Sequence, residues 1–164
     1  MADEVTIRVA GPGDAELIHK ALVSLARSRG TEEKMVASVP DVLSHGFGKD
    51  PAFETLIAEV DRVFAGLCLS FASFSTWRGE RGVYVQDLFV EEAFRGRRVG
   101  ERLLCEAARR GRRKGARYLR LSVDVENTKA QSFYERLGIS HSRDEQIHMI
   151  KGEEFEAFAE AEQN

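Results

Sequence analysis

From Thr55 to Val90 the chain is almost unbroken β texture, and it then switches abruptly to helix. Thr55-Leu56-Ile57-Ala58-Glu59-Val60 and the run from Val63 to Phe74 are rich in β-branched and aromatic residues and lack a helical period. Asp61-Arg62 between them predicts a tight turn, and Gly66 inside the second run predicts a bulge. After the loop Trp77-Arg78-Gly79-Glu80-Arg81-Gly82, Val83 to Val90 reads as a third strand of the same sheet. Such a hairpin-connected sheet has apolar faces that need cover. The helix that follows Arg95-Gly96 can supply it, with Val99, Leu103, Leu104, Ala107 and Ala108 on one side. It ends near Gly111 to Gly115, and Tyr118 to Val123 reads as another strand.

Upstream, Val5-Thr6-Ile7-Arg8-Val9 alternates as a short strand and Gly11-Pro12-Gly13 breaks it. Asp14 is read as the cap of a helix carrying Leu17, Ile18, Ala21, Leu22 and Leu25. Pro40-Asp41-Val42-Leu43 predicts a short second helix, and His45-Gly46-Phe47-Gly48 a loop. Downstream, Asn127 caps a short helix whose inner face is Ala130, Phe133, Tyr134 and Leu137, and Gly138 ends it. Ile147-His148-Met149-Ile150 predicts a closing strand, followed by an amphipathic acidic tail from Gly152. With no repeat and no linker, residues 1–164 are expected to form a single α/β (α+β) domain around a mixed sheet. Phe71 and Phe74, as strand aromatics, are assigned to the core, and Trp77 to a cleft.

Several function classes are excluded at this level. No apolar run approaches the roughly 18 residues of a membrane span. The acidic start Met1-Ala2-Asp3-Glu4 lacks the basic-then-apolar pattern of a signal peptide. Cys68 and Cys105 sit in apolar segments and are expected to be buried, reduced thiols of a cytoplasmic protein. His19, His45, His141 and His148 share no i, i+4 helix face with another ligand, so no metal is expected.

Charge points to a ligand instead. Between Arg95 and Arg120, eleven basic side chains face only Glu101 and Glu106, a local net of +9. The whole chain carries −3, so the remainder is −12. The sharpest local signal is strand, then Arg95-Gly96-Arg97-Arg98-Val99-Gly100, then helix. A helix N-terminus offers unpaired N–H groups and the positive end of its dipole, and glycines let an anion approach the backbone. The spacing is neither the dinucleotide fingerprint nor a P-loop. Arg109 to Lys114, at the far end of the helix, suits the C-terminal dipole and solvent. A nucleic-acid-binding module would use that patch, but no helix-turn-helix, RNA-binding aromatic signature or zinc spacing accompanies it.

The stretch Asp87 to Leu104 resembles the pyrophosphate-binding motif of the GCN5-related N-acetyltransferases (GNAT), Gln/Arg-x-x-Gly-x-Gly/Ala. Arg95 and Gly100 match its ends and Val99 its middle, while Arg98 stands where the family has glycine. Asn127-Thr128-Lys129-Ala130-Gln131-Ser132-Phe133-Tyr134-Glu135-Arg136-Leu137-Gly138 is similar to the second signature, Asn-x-x-Ala-x-x-Phe-Tyr-x-x-x-Gly. Leu56 to Val60, Phe74 to Gly79 and Tyr84 to Val90 resemble the diamine/polyamine acetyltransferase branch. The resemblance spans Val5 to Phe158 and implies the GNAT fold, a mixed, mostly antiparallel sheet splayed into a V and flanked by helices. It implies acetyl-CoA in that opening, held by the backbone of Leu88, Phe89 and Val90 and by the turn of Arg95, Gly96, Arg97, Arg98, Val99 and Gly100. Asn127 and Lys129 would touch it from the second signature. It further implies a homodimer.

Acetyl transfer to an amine needs a neutral nucleophile, donors for the oxyanion and a proton for the leaving thiolate. By resemblance Tyr134 is the acid, and a phenol of pKa about 10 is protonated at neutral pH. The backbone N–H of Leu88 or Phe89 is the oxyanion donor by analogy. The polyamine branch has a Glu before the Asp in this strand, but this chain has Gln86-Asp87. Gln cannot accept a proton, which leaves Asp87, a water chain, or an amine that arrives neutral. Arg29 stands where the branch has Glu, and Ser75 where it has Asp. A polycation opposite Arg29 would be repelled. Arg29, Trp77 and Gln86 are therefore expected to line the site of a small-molecule amine that also carries a carboxylate, an amino acid or thialysine-like compound. The alternatives are a polyamine acceptor, a non-catalytic acyl-CoA-binding fold, or a nucleic-acid-binding module.

Overall fold

The computed structural model describes residues 4–161 and divides into two compact units after Asp124. In the first, five strands form one sheet in the order β1-β2-β3-β4-β5. They are β1 (Val5–Val9), β2 (Glu54–Val60), β3 (Val63–Ser75), β4 (Glu80–Val90) and β5 (Ala116–Leu121). The first four pair antiparallel and β4–β5 is parallel, so the sheet is mixed and mostly antiparallel as expected. A parallel neighbour needs a crossover, and α3 (Val99–Arg113) makes it. Asp61 and Arg62 both take positive φ (49° and 68°), the conformation a two-residue hairpin turn requires. The bulge foreseen at Gly66 falls beside it, where Ala58 pairs Gly66 but Glu59 pairs Phe64. A Cβ on Gly66 would run into the Phe89 carbonyl, so β3 and β4 approach there as only glycine allows.

One face of the sheet is covered by α1 (Ala15–Ser28) and α2 (Val39–Phe47). Ala15, Ile18 and Ala21 of α1 and Val42 of α2 pack with Leu67, Leu69 and Phe89 in one buried cluster. Burying each large apolar side chain there contributes roughly 1.5–3 kcal/mol. Val99, Leu103, Leu104 and Ala107 of α3 are buried, and α3 packs on β2 to β5. A Cβ on Gly111 of α3 would run into the Val83 side chain, so this helix seats directly on β4.

Several expectations are corrected. Asp14 does not cap α1 with its side chain. Its carboxylate instead accepts two bonds from Arg8 (2.8 and 2.9 Å) and one from Gly11 N–H (2.8 Å), tying β1 to the turn before the helix. His45, Gly46 and Phe47 belong to α2 rather than a loop, because Gly46 leaves room for the Phe53 ring against the helix. Cys68 is buried, but Cys105 is exposed and Ala108 lies on the outer side of α3 with it. Phe71 and Phe74 are 37% and 59% exposed rather than core, because the buried cluster under α1 and α2 reaches along β3 only to Leu69. The basic end of α3 faces solvent as expected, with ion pairs added: Arg110 and Lys114 with Glu54, Arg109 and Arg113 with Glu106.

The second unit holds α4 (Thr128–Arg136) and α5 (Gly152–Glu160). Asn127 Oδ1 accepts from Ala130 N–H (3.1 Å), and Gly138 closes the turn after α4 at φ 79°. Ala130, Phe133, Tyr134 and the C-cap Leu137 are half-buried, as the spacing predicted, and so is Gln131. The closing strand over Ile147 to Ile150 is not formed, and residues 139–151 carry no regular element. An apolar run becomes a strand only where a neighbouring edge takes up its backbone groups, and Ile147 and Met149 are exposed.

Candidate active site

The site is built around β4. Its pairing with β5 ends at Val85–Leu121, while its pairing with β3 continues to Val90. Residues 86–90 therefore have a free backbone edge on the β5 side, the fork that a splayed sheet requires. Glu91 N–H donates to Ala65 O on β3 (2.9 Å). Backbone groups alternate in direction along a strand, so Leu88 and Val90 turn theirs to the open edge while Phe89 turns to β3. Consistently, the Val90 carbonyl accepts from Arg95 Nε (3.1 Å) outside the sheet. Of the two oxyanion candidates, this leaves Leu88 facing the fork. The Phe89 side chain is in the core.

Past Val90 the chain makes a short 3-10 turn (Glu92–Phe94) and enters the arginine-rich turn. Gly96 (φ 76°) and Arg98 (φ 61°) both adopt the left-handed conformation, and Arg98 is the N-cap of α3. No side chain caps the first N–H groups of α3. Arg98 pays the left-handed cost that glycine would avoid. Its guanidinium folds back onto Glu101 with two bonds of 2.8 Å. Arg97 lies over the Phe94 ring at 5.5 Å, and Arg102 reaches the Val5 carbonyl (3.4 Å). The open edge of β4 thus runs into a glycine-containing helix start, a fit for a ligand with an amide-bearing arm and phosphates.

A second bulge sets the side chains. Leu69 pairs Asp87 and Ser70 pairs Val85, so Gln86 is the extra residue in β4. The bulge inverts the pleat: Val83 and Val85 lie on the α3 face, whereas Asp87 and Phe89 lie on the α1 face with Leu69. Gln86 is exposed and Asp87 half-buried. Burial pushes the Asp87 carboxyl above the usual aspartate range, and the nearby charge of Arg29, at the C-cap of α1, draws it part of the way back. Behind the strand, burial and secondarily the Asp87 charge push the Cys68 thiol up to about 12, which keeps it neutral. Arg29 thus lies close enough for its charge to be felt at Asp87. Trp77 is 99% exposed in the β3–β4 turn. Asn127, Lys129 and Tyr134 lie on the second unit, where Tyr134 packs edge-on against Phe133 at 5.2 Å.

The forked sheet and the anion-ready helix start at its open edge define the class of this fold. A family model described as "Acetyltransferase (GNAT) family" matches residues 19–139, and the chain belongs to that family. It is 30% identical over 142 residues to a thialysine N-epsilon-acetyltransferase of Sus scrofa, covering 82% of this chain and 83% of that protein. It is 25% identical to the human spermidine/spermine N(1)-acetyltransferase-like protein 1 over 91% of this chain, though only 22% of that longer protein. Among solved structures, the aminoglycoside N-acetyltransferase AAC(6')-Iy in complex with CoA superposes with a TM-score of 0.73 at 20% identity, covering 93% of this chain and 97% of that one.

Proposed function

We propose that this protein transfers an acetyl group from acetyl-CoA to the primary amine of a small molecule by direct attack within a ternary complex. The observation that carries the reading is the open edge of Leu88 and Val90 leading into the Arg95–Gly100 turn, with the half-buried Asp87 on the adjoining bulge. Acetyl-CoA supplies the activated thioester carbonyl. Leu88 and Val90 hold its arm as an added strand, and the amides of Arg97 to Gly100, with Arg95 beside them, hold its phosphates. Asn127 and Lys129 are assigned to the same ligand from the second signature.

Asp87 accepts the proton of the attacking amine. Its raised basicity suits that role, and Gln86 has no basic lone pair to replace it. Leu88 N–H donates to the carbonyl oxygen as charge gathers there. Tyr134 donates its phenolic proton to the departing sulfur as the C–N bond forms and the C–S bond breaks. The acceptor is an amino acid or thialysine-like amine rather than a polyamine, because Arg29 puts a positive charge beside Asp87. The likeness to the thialysine acetyltransferase supports the same choice. From the family resemblance we also infer a cytoplasmic homodimer. The test is CoA release with a panel of amines: release that depends on thialysine or lysine and exceeds that with spermidine is expected. Clear preference for spermidine overturns the acceptor assignment, and release independent of any amine overturns the transferase.

A further inference from the structure

Beyond the bulge the same sheet face carries an aromatic pair, one member of which, Phe71, the sequence assigned to the core. Phe71 of β3 and Tyr84 of β4 are register partners and stack with ring centroids 4.9 Å apart and an interplanar angle of 19°. Phe71 remains 37% exposed and Tyr84 half-buried; their faces meet each other, so the pair turns an apolar ridge of ring edges outward and does not plug the interior. The face is fixed by pairing. Leu69 partners Asp87 and, one pleat further along, Phe71 partners Tyr84, which sets the stack next to the carboxylate on the side covered elsewhere by α1 and α2. The bulge at Gln86 makes this possible. In an unbulged strand Tyr84 and Asp87, three residues apart, would lie on opposite faces.

Hydroxyl contacts and cations edge the floor. Tyr84 Oη and Ser122 Oγ share a hydrogen bond of 2.7 Å, as do Tyr118 Oη and Ser73 Oγ. These hold the rings in single orientations across three strands. The Arg120 guanidinium lies over the Tyr84 ring at 5.9 Å, and that of Arg78 over Tyr118 at 4.7 Å. Arg78 also pairs with Glu80 (3.3 Å), so guanidinium groups and one carboxylate border the apolar surface, while its near end carries the Asp87 carboxylate, on which the charge of Arg29 acts. From Tyr84 to Asp87 is at most about 10 Å along the strand at 3.3 Å per residue. That is the scale of a lysine-sized chain, roughly 7 Å from amine to carboxylate with bonds of about 1.5 Å.

We propose that the Phe71–Tyr84 stack is the floor on which the acceptor lies, selecting an amine joined by an apolar chain to an anionic end over one joined to a second cation. The inference rests on the acetyltransferase reading and adds to it the two residues that read the acceptor's chain. Phe71 and Tyr84 are specificity residues, and Asp87 alone meets the reacting nitrogen.

The test is kcat and KM of wild type, Phe71→Ala and Tyr84→Phe with lysine, thialysine, cadaverine and the chain-less amine methylamine. Phe71→Ala should raise KM for lysine and thialysine roughly threefold to tenfold, the worth of an aromatic contact. It should leave kcat and methylamine turnover nearly unchanged. Tyr84→Phe keeps the ring and should keep the preference for lysine over cadaverine. An equal loss for long and short amines, or an unchanged KM, overturns the floor. If wild type acetylates none of these amines, the acetyltransferase reading fails. Titration of lysine and cadaverine into the acetyl-CoA-saturated protein then decides the floor by itself: preferential lysine binding that weakens in Phe71→Ala sustains it, and equal or absent binding overturns it.

Discussion

Replacing Asp87 with Asn separates catalysis from folding at one atom. Asn keeps the shape of the side chain but cannot accept a proton, so the amine loses its base. A positioned base contributes about 10²–10⁴ in rate, or about 2.7–5.5 kcal/mol of barrier. kcat/KM should therefore fall by at least about a hundredfold at neutral pH. The wild-type rate should rise with pH through the Asp87 pKa, which burial holds above the usual aspartate range, and Asp87→Asn should lose that limb. Arg29→Gln should move the limb to higher pH, since Arg29 draws that pKa down. The stability effect runs the other way. The fold favours neutral Asp87, a contribution present below the ordinary aspartate pKa and lost as pH rises through the raised one. Asp87→Asn should thus melt higher than wild type at pH 7.5, with the gain vanishing toward pH 3. The assays are initial rates across pH and calorimetric melting at both pH values. Activity within threefold of wild type, or a melting temperature lowered at both pH values, would refute the reasoning.

Other perturbations test other links. Tyr134→Phe should lower kcat about a hundredfold while leaving acetyl-CoA affinity unchanged by titration calorimetry; unchanged kcat removes it as the acid. Gly111→Ala should destabilise the protein by about 1–3 kcal/mol in denaturant melts, although alanine favours helix. The new methyl would strike Val83 and approach Ala116 Cβ at 3.2 Å. The Arg110 guanidinium, donating to Glu54 at 2.9 Å, holds that carboxyl below the usual glutamate range. The pair stabilises fully above that range, and its contribution is lost as pH falls from there through the lowered Glu54 pKa. Glu54→Gln should cost about 1 kcal/mol at pH 7, about 2–4 °C in Tm, and nothing near pH 2.

Element order was legible because local chemistry decided it. Asp61-Arg62, Gly66, Asn127 and Gly138 each appear where their turn or cap requires them. The arginine-rich turn was likewise visible as strand, glycine and helix in succession. What was hidden depends on partners distant in sequence. Phe71 and Phe74 read as core because strand aromatics usually pack inward, yet both are exposed. The run Ile147 to Ile150 has strand chemistry but forms no strand. Asp14 looked like a cap, but Arg8 and Gly11 compete for its carboxylate. The bulge at Gln86 carries no local mark, neither glycine nor proline, yet it decides that Asp87 shares a face with Tyr84 and Leu69. Candidate residues could be named from the motif, but which of them meet on one face had to come from the register.

The most direct test of the account is an amide correlation spectrum of the protein titrated with acetyl-CoA. The N–H signals of Leu88, Val90 and Arg97 to Gly100 should shift together and saturate with one equivalent, while those at the far end of α3, Arg109 to Arg113, stay in place. Saturable binding that leaves the β4 edge and the helix start unmoved would contradict the fork as the acetyl-CoA site.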